Sequence, residues 1–193
     1  MNVLAVNCSP RQNGNTHILL EEVLKPIGEK GIFTEIFQIG GKKIRGCIAC
    51  MKCRKEGDGR CHQKNAVINE CIARMEEADA IIIGSPVYFA DISGDAKAFL
   101  DVSGYALRGK GNPLKRKTGA GVIAVRRAGA IHAFDSINHF FLINEMIIPG
   151  SSYWNMAIGR EKGEVLQDEE GIRTMRVLGE NIVWLLERLA GGK

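Results

Sequence analysis

The chain alternates short unbroken apolar runs with longer stretches whose apolar positions recur every three or four residues. Residues 2–7 and 78–84 carry no polar face, as strands buried on both sides require. Residues 32–39 and 119–125 read as two further strands, and residues 146–149 as a short fifth. Between the first two strands, Ile18, Leu19, Leu20, Val23, Leu24 and Ile27 form one helical stripe that Gly31 closes. The same spacing predicts helices over 65–77, 91–102, 130–145 and 167–189. Such alternation predicts an α/β fold, a doubly wound five-stranded parallel sheet forming one domain over residues 1–193. Residues 40–64 fall outside that scheme and read as a cysteine-rich insert after the second strand.

Composition narrows the class. A chain of 193 residues, 45% hydrophobic and 25% charged, is sized for one globular domain. No apolar run approaches the roughly 20 residues of a membrane span. No basic stretch precedes the first apolar run, so no export signal is expected and the protein is read as cytoplasmic. The net charge of +4 is local: eight lysines and arginines against Glu56 and Asp58 give residues 42–64 a charge of +6. With aromatics at only 6%, a nucleic-acid surface is not expected. Four of the six cysteines lie within residues 47–61, and without export that favours metal or redox chemistry over disulfides.

Ligands of open α/β sheets sit at the carboxyl ends of strands. The first such loop, Cys8-Ser-Pro-Arg-Gln-Asn-Gly-Asn-Thr16, opens a helix whose free N–H groups favour an anion. It lacks the Gly-Lys-Ser/Thr ending of triphosphate loops and the G-x-G-x-x-G of dinucleotide loops. Its hydroxyls, amides and guanidinium suit a phosphate monoester such as that of FMN; helix capping by Asn13 or Asn15 is the structural alternative. After the strand at 78–84, Tyr88 and Phe89 either stack on a flat heterocycle or merely cover the sheet end. A third loop, with Arg126, Arg127 and Gly129, can set positive charge beside a reduced flavin.

Cys47, Cys50, Cys53 and Cys61 have the spacing C-x2-C-x2-C-x7-C, in which thiolates at intervals of three can wrap one inorganic core. Structural zinc more often uses two separated C-x2-C knuckles, and free redox-active thiols are a third use. Cys8 and Cys71 read as core residues, and His62 as an exposed neighbour of Cys61. His17, His132 and His139 show no ligand spacing.

The motifs Ser9-Pro-Arg-x-x-Gly-Asn-Thr16, Gly84-Ser-Pro-Val-Tyr88 and Ser151-Ser-Tyr-Trp-Asn155 resemble those of the NADPH-dependent FMN reductase superfamily, whose fold is flavodoxin-like. The resemblance implies that Ser9, Arg11, Asn13, Gly14, Asn15 and Thr16 hold the FMN phosphate. It places Pro86, Val87, Tyr88 and Phe89 against the isoalloxazine, with Arg126, Arg127 and Gly129 on its other side, and also carries over Asp91 and Ser93. The cysteine segment resembles that of the iron–sulfur flavoproteins of anaerobes, which implies a [4Fe–4S] cluster on Cys47, Cys50, Cys53 and Cys61. The surrounding cations would offset the cluster's charge and steer an acidic ferredoxin-like carrier. The expected function is electron transfer between cluster and flavin, ferredoxin-linked, with a small oxidant or quinone-like acceptor. One alternative is an NAD(P)H-dependent FMN or quinone reductase without a cluster, and another a flavin-binding redox sensor with a thiol or zinc loop. Shielding of the flavin by a neighbouring subunit, with Tyr153 and Trp154 at the interface, predicts a homodimer or homotetramer.

Overall fold

The computed structural model describes residues 1–191. Five parallel strands form one sheet: β1 (Asn2–Asn7), β2 (Phe33–Gln38), β3 (Ala80–Tyr88), β5 (Thr118–Val125) and β6 (Met156–Ile158), in the order β2-β1-β3-β5-β6. A two-residue strand, β4 (Asp91–Ile92), pairs antiparallel with the end of β3. The helices are α1 (Asn15–Glu29), α2 (Lys52–Glu56), α3 (Ala66–Glu77), α4 (Gly94–Gly109), α5 (Ala130–Ile143) and α6 (Glu169–Gly191).

The apolar runs lack alternation because both faces of the sheet are buried. In β1, Val3 and Ala5 join α1 and α6 in one core, whereas Leu4 and Val6, with Cys8 just after the strand, join α3, α4 and α5 in the other. In β3, Ala80 and Ile82 divide from Ile81 and Ile83 in the same way. Two glycines set close approaches. At Gly84 a Cβ would lie 2.9 Å from Thr16 Cγ2 and from Leu20 Cδ1, so its absence lets α1 lie against β3. At Gly179 a Cβ would lie 2.2 Å from the Val23 carbonyl oxygen, which seats α6 on α1.

Three expectations need correction. Residues 146–149 are not a strand: Ile147 makes one isolated bridge to Thr118. Pro149, which has no N–H to donate, turns the chain off the sheet there. The fifth ladder is β6, where Met156–Ile158 pairs with Ile123, Ala124 and Val125. Its residues are half-buried, buried and exposed in turn, so no continuous apolar run marks it. Secondly, Asp91 and Ile92 are not helical but pair with Tyr88 and Val87. Helix α4 starts after Ser93, whose Oγ accepts from the Ala96 N–H at 3.1 Å. Lastly, β3 runs on to Tyr88, so Pro86, Val87 and Tyr88 lie on a strand end rather than in a loop.

Candidate functional site

The carboxyl ends of β1, β3, β5 and β6 meet in a cavity of about 320 Å³. Ser9, Arg11, Gly14, Asn15 and Thr16 line one wall, Pro86, Val87 and Tyr88 a second, and Ala124 and Arg126 a third. Residues from three loops far apart in sequence are thereby gathered at one sheet edge. Two larger grooves, of about 490 and 460 Å³, lie elsewhere: one along α4 and α5, the other beside residues 148–155. Neither gathers residues of these loops.

Local structure sets the phosphate-type wall. Ser9 is buried, its N–H donates to Asn7 Oδ1 at 3.0 Å and its Oγ accepts from the Arg11 N–H at 3.3 Å. Gly14 N–H bonds back to the Arg11 carbonyl at 3.1 Å, closing a turn whose last residue, Gly14, immediately precedes α1. Thr16 is 1% exposed, yet its Oγ1 has no hydrogen-bond partner. A buried hydroxyl without a partner is costly unless a ligand satisfies it. Set beside the free N–H groups of α1 and the Arg11 guanidinium, it fits the phosphate of FMN.

Several expected ligands do something else. Asn15 lines the cavity, but its amide binds the opposite loop: Nδ2 donates to the Gly159 and Glu161 carbonyls at 3.1 and 2.9 Å, and Oδ1 accepts from Gly163 N–H at 2.7 Å. Asn13 is exposed, with φ of 52°, and does not border the cavity. Phe89 is fully exposed because Phe89 and Ala90, with φ of 49° and 76°, form the two-residue turn between β3 and β4. Asp91 accepts from Ser136 Oγ at 2.8 Å and faces His132 at 3.4 Å. Ser93 Oγ donates to the Cys8 carbonyl at 2.9 Å besides capping α4. Arg127 is exposed away from the cavity, and Gly129, with φ of 89°, precedes α5. The expectations missed Gly159, Arg160 and Lys162, which complete the lining after β6.

None of the histidines, and neither Cys8 nor Cys71, borders the strand-end cavity. His17 pairs with Glu21 at 3.4 Å. Cys8 and Cys71 are buried in the core, and burial pushes both thiols well above the usual range.

Residues 40–64 connect β2 to α3 and hold only the short helix α2. Asn65, 1% exposed, brackets the segment: its Oδ1 accepts from Arg45 N–H at 2.8 Å and its Nδ2 donates to the Arg45 carbonyl at 3.0 Å. Asn69 likewise grips both backbone groups of Cys61, at 2.8 and 2.9 Å. All four thiols of the segment border one small hollow with Val102 and Tyr105. Three of them accept N–H bonds: Cys47 from Ala49 at 3.4 Å, Cys50 from Gln63 at 3.3 Å, and Cys61 from Asn65 at 3.5 Å. Hydrogen bonds from Lys52 N–H and then Gln63 outweigh the slight loss of solvation and hold Cys50 below the usual thiol range. Burial, and then the neighbouring thiols, push Cys53 up. The donor set therefore fits a thiolate-bound metal centre in its chemistry. In distance it does not: among the described residues no three Cys, His, Asp or Glu side chains are close enough to hold one ion. The hollow, about 20 Å³, has room for about one water and so none for a four-iron core. A metal centre there requires the segment to rearrange around it.

Comparison with known proteins agrees with this geometry. The family model of the NADPH-dependent FMN reductases matches residues 1–161. A protein of Methanocaldococcus jannaschii named iron–sulfur flavoprotein is 37% identical, the match covering 94% of this chain and 95% of that one. One of that name from Archaeoglobus fulgidus is 30% identical over 97% and 96% of the two chains. Among solved structures, RosB with a bound formylriboflavin phosphate superimposes with a TM-score of 0.75 at 16% identity, over 99% of this chain and 81% of that. The NAD(P)H:acceptor oxidoreductase FerB of Paracoccus denitrificans gives 0.70 at 18% identity, over 97% of each. At such identities these structures fix only the fold, which is flavodoxin-like. With the family model covering residues 1–161, all of the cavity lining but Lys162, and the curated relatives aligning over nearly the whole chain, this flavin-dependent oxidoreductase belongs to the NADPH-dependent FMN reductase family.

Proposed function

We propose that the protein exchanges electrons between FMN in the strand-end cavity and a [4Fe–4S] cluster carried by Cys47, Cys50, Cys53 and Cys61. The observation that carries the flavin half is the buried, unpaired Thr16 hydroxyl at the mouth of α1, inside a cavity that joins three strand-end loops. The cluster half rests on the N–H donors aimed at three thiols and on the name the curated relatives share. Bound FMN supplies one- and two-electron redox chemistry; everything else falls to the chain. Ser9, Arg11, Thr16 and the α1 N–H groups hold the phosphate. Pro86, Val87 and Tyr88 orient the ring system, and Arg126 sets positive charge beside it.

The +6 charge of residues 42–64 gives an acidic ferredoxin-like carrier its landing surface next to the thiols. The oxidant is a small molecule or a quinone-like compound. Exposed Phe89, Tyr153 and Trp154 are the covering surface of a homodimer or homotetramer. A second reading, an NAD(P)H-dependent FMN or quinone reductase without a cluster, is favoured by one observation: the four thiols border one hollow, but among the described residues no three ligand side chains come close enough to hold one ion.

The deciding experiment is the anaerobic visible spectrum of the purified protein, with iron and acid-labile sulfide counted per FMN. About four of each per flavin, with absorbance bleached on reduction, supports the cluster. Flavin bands without iron or sulfide after anaerobic reconstitution leave the NAD(P)H reading.

A further inference from the structure

We propose that the loop of residues 159–162 is a phosphate clasp, held shut by Asn15, that makes the cavity prefer phosphorylated over unphosphorylated flavin. The inference rests on FMN being the ligand of the cavity; it assigns two residues that the motif comparison did not, Arg160 and Lys162, and gives Asn15, which that comparison set on the phosphate, a positioning role instead.

The clasp is built from one end of the sheet. Gly159 N–H bonds to the Val125 carbonyl at 2.9 Å, the last rung between β5 and β6. The chain then turns back across the cavity and is tied from three sides. Asp168 Oδ2 accepts from Ile158 N–H at 2.7 Å. Glu164 Oε2 accepts from the Arg160 and Glu161 N–H groups at 2.6 and 2.8 Å, and these bonds, that of Glu161 first, hold its carboxyl below the usual range. Asn15 supplies the remaining three bonds, at 2.7 to 3.1 Å, from the far side of the cavity. With these backbone groups of the loop satisfied internally, what it offers the cavity is two cationic side chains, Arg160 and Lys162.

Asn15 is also the first residue of α1. The same residue therefore begins the helix whose free N–H groups meet an anion and fixes the loop that brings two cations opposite them. The unpaired Thr16 hydroxyl lies one residue on, between the two walls. Arg160 lies 3.3 Å from the Glu161 carboxylate in a solvent-exposed pair, whereas Lys162 and Arg11 pair with no carboxylate among the described residues. A dianionic phosphate gains from every one of these groups, whereas the neutral terminal hydroxyl of riboflavin gains almost nothing from the cations.

The test is titration of the flavin-free full-length protein with FMN and with riboflavin, followed by flavin fluorescence, for the wild type, R160A/K162A and N15A. The double variant changes exposed side chains only, so it keeps the fold. It is expected to weaken FMN binding by about tenfold or more, the effect of about 1.4 kcal/mol of charge-assisted bonding, and to leave riboflavin binding within about twofold. N15A is expected to lower the FMN-to-riboflavin affinity ratio in the same direction although it removes no charge. A merely structural role for Asn15 would weaken both flavins alike. An unchanged ratio in both variants overturns the clasp while leaving FMN as ligand. A wild type that binds neither flavin overturns the FMN reading and the clasp with it.

Discussion

Replacing Thr16 by valine separates what the fold needs from what the ligand needs. Thr16 packs its methyl beside Gly84 and leaves Oγ1 buried without a partner. Valine keeps the methyl and the β-branch and removes only the hydroxyl, so packing changes little. An unpaired buried hydroxyl costs about 1–3 kcal/mol, so the flavin-free variant is expected to gain at least about 1 kcal/mol. For a chain of this length each kcal/mol moves the melting temperature by about 2–4 °C. Binding moves the other way. A hydrogen bond to a charged group contributes about 1.5–3 kcal/mol, so FMN affinity is expected to fall by about 10- to 150-fold. Riboflavin, with no phosphate at that position, is expected to lose little. The assay is calorimetric melting of the flavin-free protein beside fluorescence titration with both flavins. A variant that melts lower than wild type and binds FMN as tightly refutes the assignment of Thr16 to the phosphate.

The remaining predictions concern stability and access. Burial would raise the Glu22 carboxyl, but hydrogen bonds from Lys25 and Arg176, with their charges, outweigh it and hold Glu22 below the usual range. A lowered folded value means stability that is present above the unfolded carboxyl range and lost as pH falls through the folded one. Glu22→Gln is therefore expected to be less stable at neutral pH, by about 1 kcal/mol given that both cations are half exposed, and to lose less on acidification. Urea melts at pH 7 and pH 3 read both effects, and an equal acid loss in both proteins contradicts the pairing. Ala90, at φ of 76°, pays a left-handed penalty that glycine avoids. Ala90→Gly should stabilise the β3–β4 turn by about 0.5–1 kcal/mol, and a lowered melting temperature would show the turn to be unstrained. In the metal-free protein, Cys47, Cys50, Cys53 and Cys61 should alkylate while buried Cys8 and Cys71 resist, as mass spectrometry of iodoacetamide-treated protein would count. In cluster-loaded protein all six should resist, and alkylation of Cys53 or Cys61 there would remove that residue from the ligand set.

The sequence makes the centre of the fold legible and its margins not. Strands buried on both faces, such as β1 and β3, carry unbroken β-branched runs because no position meets water. An edge strand of three residues has no such obligation, and β6 shows water two of its three side chains at least in part. The more apolar Met146-Ile-Ile-Pro149 took its place in the pattern. That slip hid the clasp, since Arg160 and Lys162 are strand-end residues only once β6 is recognised. The signal was present as Gly159-Arg-Glu-Lys-Gly163, a glycine-bounded cationic turn ahead of the last helix. The turn at Phe89 is illegible for a different reason: a two-residue turn with both φ values positive normally announces itself with Asn or Gly, and Phe-Ala does not. Asn15 is legible as a residue of the cavity, but the bonds of its amide are not, because an amide at a helix start points to local bonding and its three partners lie 144 to 148 residues away.

Helix α4 ties the two chemical regions together. At its start, Ser93 Oγ bonds the Cys8 carbonyl at the base of the phosphate loop, and Asp95 Oδ2 accepts from Gly41 N–H at 2.8 Å, where residues 40–64 begin. At its end, Gly109 has no Cβ to collide with the Cys53 carbonyl, which would lie 2.7 Å away, and Arg54 lies 5.5 Å over the Tyr105 ring. One rigid element of sixteen residues thus contacts the flavin-side loop at one end and the cysteine segment at the other. Cys47, Cys50 and Cys61 lie in irregular backbone bracketed by Asn65 and Asn69, whereas Cys53 sits in α2, whose backbone packs on α4 at Gly109. One helix therefore holds both the base of the cavity loop and the cysteine segment.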